Sequence, residues 1–318
     1  MTRHGPQRGS GETAEGFSRR DLFRIGASAS AATLAATLPA SAEERGAPAD
    51  ALGLLYDTTV CIGCKACVAA CTTANNLEPD TELSGGIWQM PTDLNSQTKN
   101  IIQLYRSPDG AESSFMKRQC MQCVDPACAS ACPFNALSKG AYGIVEWEPT
   151  RCIGCRFCEI SCPFDVPRFE WAKFNPRIVK CELCRHRLPQ GLQPACTEVC
   201  PVSAVIFGKR ADLLREAHRR IDANPGKYYQ NRVYGEQDLG GTQVVYLSHV
   251  PFAKLGLPEV GTESRAHYGE KVHGVIYKGM VVPAIVYAGL AFIMRRRFNA
   301  HEEHARDEQS KTGREDQL

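Results

Sequence analysis

Four groups of cysteines account for all sixteen in the chain. The first is Cys61, Cys64, Cys67 and Cys71, and the second is Cys120, Cys123, Cys128 and Cys132, followed by Pro133. The third is Cys152, Cys155, Cys158 and Cys162, followed by Pro163, and the last is Cys181, Cys184, Cys196 and Cys200, followed by Pro201. Three closely spaced thiolates can wrap three corners of an iron–sulfur cubane, and Gly63 or Gly154 lets the backbone pass close to it. A fourth cysteine then begins the segment that leads away, and the proline after it turns the chain. Thr72 takes the proline's place in the first group, which leaves that exit less constrained without removing a ligand.

The first and third groups match the bacterial ferredoxin run C-x2-C-x2-C-x3-C, whose last cysteine serves the other cluster of a pair. The second and fourth keep the beginning and end of that run but lengthen the middle spacer. Both tight runs open on Cys-Ile-Gly-Cys, at Cys61 and at Cys152, which marks an internal duplication. Zinc is the competing metal, since four-cysteine zinc sites are common. The x2-x2-x3 quartets and the recurrent Cys-Pro favour iron–sulfur. Disulfides fit worse, because four thiols crowded into one short loop cannot all pair without strain.

Nothing else in the sequence competes for chemistry. The eight histidines are scattered, and there is no C-x-x-C-H, G-x-G-x-x-G or G-x-S-x-G run. His186 lies close to Cys184 in sequence and reads as a surface residue. Lys65, Arg156 and Arg185 sit inside the ligand loops, where a positive charge raises a neighbouring cluster's potential. A formal net charge of +2 gives no reason to expect a polyanion such as nucleic acid as partner.

Few regular elements are available to position these loops. Ala141 to Glu148 alternates as a short strand, and Val202 to Gly208 and Gln243 to Ser248 read as two more. A helix from Ala211 to about Ala223 puts Leu213, Leu214, Ala217 and Ile221 on one face, and Asn224-Pro225-Gly226 stops it. Two insertions depart from the compact repeat: 72–119, mostly polar with Gly-Gly and Pro turns, and 204–273, between the last group and the apolar C-terminal run, and long loops of this kind often carry contacts. With so little conventional core, bound metal must organise the chain.

The two ends carry targeting and membrane signals. Arg19 and Arg20 precede a mildly apolar run, Ile25 to Leu38, and then Pro39-Ala40-Ser41-Ala42. Residues 1–42 therefore read as a twin-arginine signal peptide with cleavage before Glu43. That route exports folded proteins, so thiolates already holding metal escape disulfide formation. Near the other end, Gly274 to Met294 is apolar and is followed by Arg295-Arg296-Arg297. Roughly 20 residues cross a bilayer, so 274–297 reads as a transmembrane anchor, with Lys278 snorkelling and Pro283 tolerated. The arginines place the charged tail 298–318 on the cytoplasmic side and 43–273 outside. The tail lacks aromatic residues beyond Phe298 and is expected to be disordered.

With these features in place, the chain resembles the four-cluster ferredoxin-type subunits of bacterial respiratory oxidoreductases. Within that group it is similar to the iron–sulfur subunit of hydrogenase-2-type membrane-bound nickel–iron hydrogenases. The segments that carry the resemblance are LGLLYDTTVCIGCKACVAAC, KRQCMQCVDPACASACP, KCELC, CPVSAVIFGKR, GGTQVVYLSHVP and YKGMVVPAIVYAGL. The resemblance implies an α+β fold with much irregular structure, built as two interleaved ferredoxin-like modules with four 4Fe-4S clusters and one C-terminal transmembrane helix.

It also implies crosswise ligation. Cys61, Cys64 and Cys67 would share the first cluster with Cys200, and Cys181, Cys184 and Cys196 would share the second with Cys71. Cys120, Cys123 and Cys128 would share the third with Cys162, and Cys152, Cys155 and Cys158 the fourth with Cys132. The implied partners are the large and small hydrogenase subunits and a multi-span membrane subunit that reacts with quinone. In that setting the chain transfers electrons and is not itself catalytic, and it belongs in the inner membrane with its cluster domain on the periplasmic side. Molybdopterin enzymes of the formate dehydrogenase or reductase type use similar subunits and supply the rival partner. A zinc-bearing membrane scaffold is the rival of another class.

Overall fold

The computed structural model describes residues 46–79, 91–171, 173 and 176–315. The signal read over 1–42, with Arg19 and Arg20, lies outside the described residues, and so does part of the 72–119 insertion.

A three-stranded sheet forms the backbone of the domain, with strand β1 (Leu52–Asp57) at its centre. β1 pairs antiparallel with β8 (Val205–Lys209) and parallel with β9 (Val244–Leu247). The register sets Leu54 opposite Phe207 and Val244, and Tyr56 opposite Val205 and Tyr246. Successive side chains on a strand point to opposite faces, so this short strand serves two cores. Leu54 and Tyr56 join the core that surrounds the cysteine loops, while Leu55 joins one under a helix. That helix, α5 (Arg210–Ala223), buries Leu213, Ala217 and Ile221 against Leu55, Val245 and Leu247. Asp57 is fully buried at the end of β1, where Tyr228 Oη and Arg220 Nη1 donate to it at 3.0 and 3.2 Å.

β1 also depends on a close backbone approach. A Cβ at Gly53 would stand 1.9 Å from the carbonyl oxygen of Gln243, so only glycine fits there.

A hairpin of β2 (Asn100–Arg106) and β3 (Ser113–Gln119) lies within the insertion expected to be a loop. Its residues are not strictly alternating, yet Ile101, Ile102, Met116, Lys117 and Gln119 are all buried. Tyr56 Oη and Tyr246 Oη, 5.6 Å apart between ring centres, fasten it to the sheet. They donate to the carbonyls of Phe115 and Lys117 at 2.9 and 2.8 Å.

Two smaller ribbons complete the strand content among the described residues: β4 (Leu137–Lys139) with β5 (Val145–Trp147), and β6 (Arg168–Phe169) with β7 (Ile178–Val179). The strand expected over 141–148 survives only as β5, because Ala141–Gly143 forms a 3-10 turn with Tyr142 and Gly143 at φ 57° and 69°. The expected strand at 202–208 begins later, at Val205, after the turn that follows Cys200. β9 and α5 lie within a residue or so of their expected bounds.

The last element is the helix α6, Ala266–Glu315. It starts well before the apolar run expected at 274 and continues through the tail expected to be disordered. That tail is a correction: its Glu, Lys, Arg and Gln content, together with a preformed helix ahead of it, lets the helix propagate without a core. The stretch Ala266–Arg306 is long and apolar enough to cross a membrane, and none of its most apolar window is buried within the chain.

Candidate metal centres

Each cysteine group is built from a loop and a short helix. The third cysteine of each group lies in a short helix: Cys67 in α1 (Ala66–Ala74), Cys128 in α2 (Ala127–Ser130), Cys158 in α3 (Phe157–Ile160) and Cys196 in α4 (Ala195–Glu198). The duplication seen in sequence is repeated in the backbone. Gly63 and Gly154 have φ of 69° and 71°, and the residues that cap α1 and α3, Lys65 and Arg156, are left-handed at 59° and 63°. In the longer groups Pro126 and Pro194 cap α2 and α4 instead.

Around these loops the chain brings cysteines together across long sequence separations. Cys61, Cys64, Cys67 and Cys200 line one cavity, with Tyr56 and Ile102 on its inner wall. Cys132, Cys152, Cys155 and Cys158 line another, bordered by Phe134, Phe157 and Phe169. At a third site the Cys71 thiol is pushed up to about 12 by burial, with Cys181, Cys196 and Cys184 as its thiol neighbours. At the fourth, burial raises Cys123 well above the usual thiol range, with Cys162, Cys120 and Cys128 beside it. Burial also lifts Cys120 to about 11, and Cys158 and Cys196 to about 12.

The causes have a common meaning. Four thiolates in one poorly solvated pocket repel one another and favour the protonated form. Such a set accepts its negative charges only when metal neutralises them, and metal binding then releases the protons.

Backbone N–H groups point at the sulfurs in a recurrent way. Gly63 N and Leu183 N donate to Cys61 Sγ and Cys181 Sγ, both at 3.4 Å. Ala136 N and Ala204 N donate to Cys132 Sγ at 3.2 Å and Cys200 Sγ at 3.3 Å. Hydrogen bonds to cluster sulfurs are one of the ways a protein sets a cluster's potential. Among the described residues no three His, Cys, Asp or Glu side chains close up around a single metal ion. Sulfur-only donor sets grouped in fours suit an iron–sulfur cubane, whose irons take thiolate ligands.

The sites succeed one another through the domain. Lys117 faces Cys67 of the first set and Cys71, Cys181 and Cys196 of the second. Cys181 of the second set neighbours Cys120 of the third, and Cys158 of the fourth neighbours Cys128 of the third. Cys64 and Cys155, one from each terminal set, are the exposed cysteines.

The other residues singled out in the sequence take lesser roles. His186 is exposed, with Nε2 2.9 Å from the carbonyl of Ala74 at the end of α1. Arg185 pairs with Glu146 at 2.8 Å, and the Arg156 guanidinium stacks over Trp171 at 3.7 Å. Burial lowers the Lys65 ammonium from its ordinary value.

Three residues near the sites escaped the sequence reading. Gln122 is fully buried and ties two groups together, donating to Cys181 O at 2.6 Å while accepting from Val145 N at 2.6 Å. Lys117 and Lys180 are buried lysines. Polar residues beside a ligand motif were the available signal for all three, since an interior lysine or glutamine needs a polar partner.

Comparison with known proteins places these sites in context. Residues 111–210, which hold the second, third and fourth cysteine groups, match the model of the 4Fe-4S dicluster domain. The hydrogenase-2 operon protein HybA of Escherichia coli O157:H7 is 37% identical, over 92% of this chain and 100% of its own length. A protein of Nitratidesulfovibrio vulgaris is 40% identical over 90% of this chain and 80% of its own. The iron–sulfur subunit of the nitrate-inducible formate dehydrogenase of Escherichia coli K12 is 34% identical over 64% of this chain and 71% of its own.

Proposed function

We propose that this chain, which belongs to the family of the hydrogenase-2 operon protein HybA, relays electrons between a nickel–iron hydrogenase dimer and a quinone-reactive membrane subunit. The observation that carries the reading is the grouping of all sixteen cysteines into four sets drawn from distant parts of the chain. Each set would hold one 4Fe-4S cluster, giving two interleaved ferredoxin-like modules. The first module would use Cys61, Cys64, Cys67 and Cys200 with Cys71, Cys181, Cys184 and Cys196. The second would use Cys120, Cys123, Cys128 and Cys162 with Cys132, Cys152, Cys155 and Cys158. Clusters bound there supply one-electron carriers, and the protein's part is to hold them in file and keep water from the inner two.

The anchor supports an orientation for that file. Gly269, in the first turns of α6, is packed so that a Cβ there would lie 3.3 Å from Ser130 and Ala131, just before Cys132. Ser264 Oγ donates to the carbonyl of Asp125 at 3.4 Å, beside the same loop. The start of α6 therefore lies beside the loop that carries Cys128 of the third set and Cys132 of the fourth, and we infer that this module would pass electrons to the membrane subunit, leaving the other module for the hydrogenase dimer. We further place the domain 43–273 on the periplasmic side of the inner membrane, delivered by the twin-arginine signal.

Iron and acid-labile sulfide analysis of the anaerobically purified protein tests the cofactor, with about sixteen of each per chain expected for four cubanes. Stoichiometric zinc without sulfide would end the relay reading in favour of a scaffold. A pulldown in mild detergent tests the partner. The likeness to formate dehydrogenase iron–sulfur subunits keeps a molybdopterin partner as the second reading, and recovery of such an enzyme without hydrogenase would establish it.

A further inference from the structure

We propose that Lys117 is a fixed positive charge that raises the reduction potentials of the first and second cluster sites together. The inference rests on the four-cluster relay above and assigns one of its tuning elements.

Lys117 is 0% exposed and stands opposite Ile102 in the middle of the β2–β3 hairpin. Residues two apart on a strand share a face, so Phe115, Lys117 and Gln119 form one row of β3. Phe115 lies over the first ligand loop, where its ring would meet a Cβ at Gly63 at 2.3 Å. Lys117 follows it along the row, and Cys120 begins the next ligand group directly after Gln119.

The ammonium donates to Gln119 Oε1. Among the described residues no Asp or Glu carboxylate pairs with it, nor with the buried Lys180, whereas the two buried carboxylates each have an opposite charge beside them. Asp57 meets Arg220, and Asp238 meets Arg232. A buried charge without an opposite charge is costly. The ionisable groups that face Lys117 are Cys196, Cys67, Cys181 and Cys71, one thiol from the first set and three from the second. The anion that compensates the ammonium is therefore the thiolate-ligated centre on either side of it.

A positive charge held in a poorly solvated interior stabilises each added electron nearby more than it would in water. The same logic applies to Lys180, 2% exposed, which donates to Val145 O and faces Cys120 and Cys128 of the third set. The fourth set differs. Lys117 and Lys180 are not among the groups acting on Cys158 there, and its cavity is lined instead by Arg151 and Arg156 of its own loop. It provides an internal control.

The test is a redox titration of the full complex, followed by electron paramagnetic resonance, for Lys117→Met and for Gln119→Glu. Methionine keeps the stem and removes the charge, whereas glutamate neutralises the ammonium in place. Both variants are expected to shift two of the four one-electron steps downward. For Lys117→Met the reduction equilibrium should fall at least tenfold, which is 59 mV for a one-electron couple, with the fourth site unmoved. Where Lys117→Met fails to load iron, Gln119→Glu decides. Four unchanged steps, four equally shifted steps, or failure of both variants to take up iron would each overturn the proposal, the last by making Lys117 a folding element only. Iron and sulfide counts on the unsubstituted complex report separately on the four-cluster relay, since fewer than four clusters there would sink that reading first.

Discussion

At the scale of single residues, crosswise pairing is the feature most open to a direct test. If Cys71 completes the set of Cys181, Cys184 and Cys196, then Cys71→Ser and Cys181→Ser damage the same cluster. The double variant should lose no more iron than either single one, about four atoms per chain. Cys64→Ser combined with Cys71→Ser should lose about twice that, although the two cysteines are neighbours in sequence. Iron analysis with Mössbauer spectra of the four proteins checks this, and additive losses for Cys71 with Cys181 would contradict the pairing. The glycines of the two duplicated loops give a graded comparison. Gly63→Ala meets a left-handed backbone, which costs about 1–2 kcal/mol, and also the Phe115 ring at 2.3 Å. Gly154→Ala has a similar φ, but its nearest neighbour is Pro176 Cδ at 3.0 Å. Loading of the first site should therefore suffer more than loading of the fourth, as read from cluster content after reconstitution.

At the scale of elements, what sequence patterns revealed depended on who buried each side chain. Helix α5 was legible because Leu213, Ala217 and Ile221 recur at helical spacing and face an ordinary apolar core. β9 was legible for a similar reason, as a short apolar run. The β2–β3 hairpin was not, since Lys117 and Gln119 occupy inward positions that an apolar pattern would require to be hydrophobic. Those residues answer to the thiol groups beside them, and alternation cannot register that. β1 was missed because its continuous run Leu54, Leu55 and Tyr56 serves cores on both faces. The outer face of α5 carries a pH dependence that follows from its pairing. Glu216 is held down to about 2, first by hydrogen bonds from Arg219 and then from Arg220. A carboxyl with a depressed folded pKa stabilises above its ordinary value, and that contribution is lost as pH falls through about 2. Glu216→Gln should therefore flatten part of the acid unfolding curve between roughly pH 4.5 and 2 while leaving stability above that window less than the parent's. Circular dichroism during acid titration reads both effects. A curve of unchanged shape would mean that the pair does not hold in solution.

At the scale of the whole molecule, the cysteine quartets were legible as ligand runs, while their grouping across the chain came only through a resemblance. Spacing records which cysteines share a loop, but the return of Cys200 to Cys61 depends on the pairing of β1 with β8. The apolar C-terminal helix was legible in outline because a run of apolar residues followed by arginines is a composition signal. Its true length was not, since helix propagation into a charged tail leaves no apolar trace. A reporter fused after Leu318 is expected to be active only in its cytoplasmic form, and activity of a periplasmic reporter there would reverse the topology. The nested arrangement of the cysteines has a consequence in time as well as in space. During synthesis, the third and fourth sets are complete once Cys162 has emerged, whereas the second waits for Cys196, the first for Cys200, and the central sheet for β9. At about 5–20 residues per second that interval lasts seconds. The two modules thus have different birth times, the inner one able to close while the outer one is still open. A ribosome stalled between the two points would release a chain that is half finished in a defined way, with the module beside the start of α6 formed first.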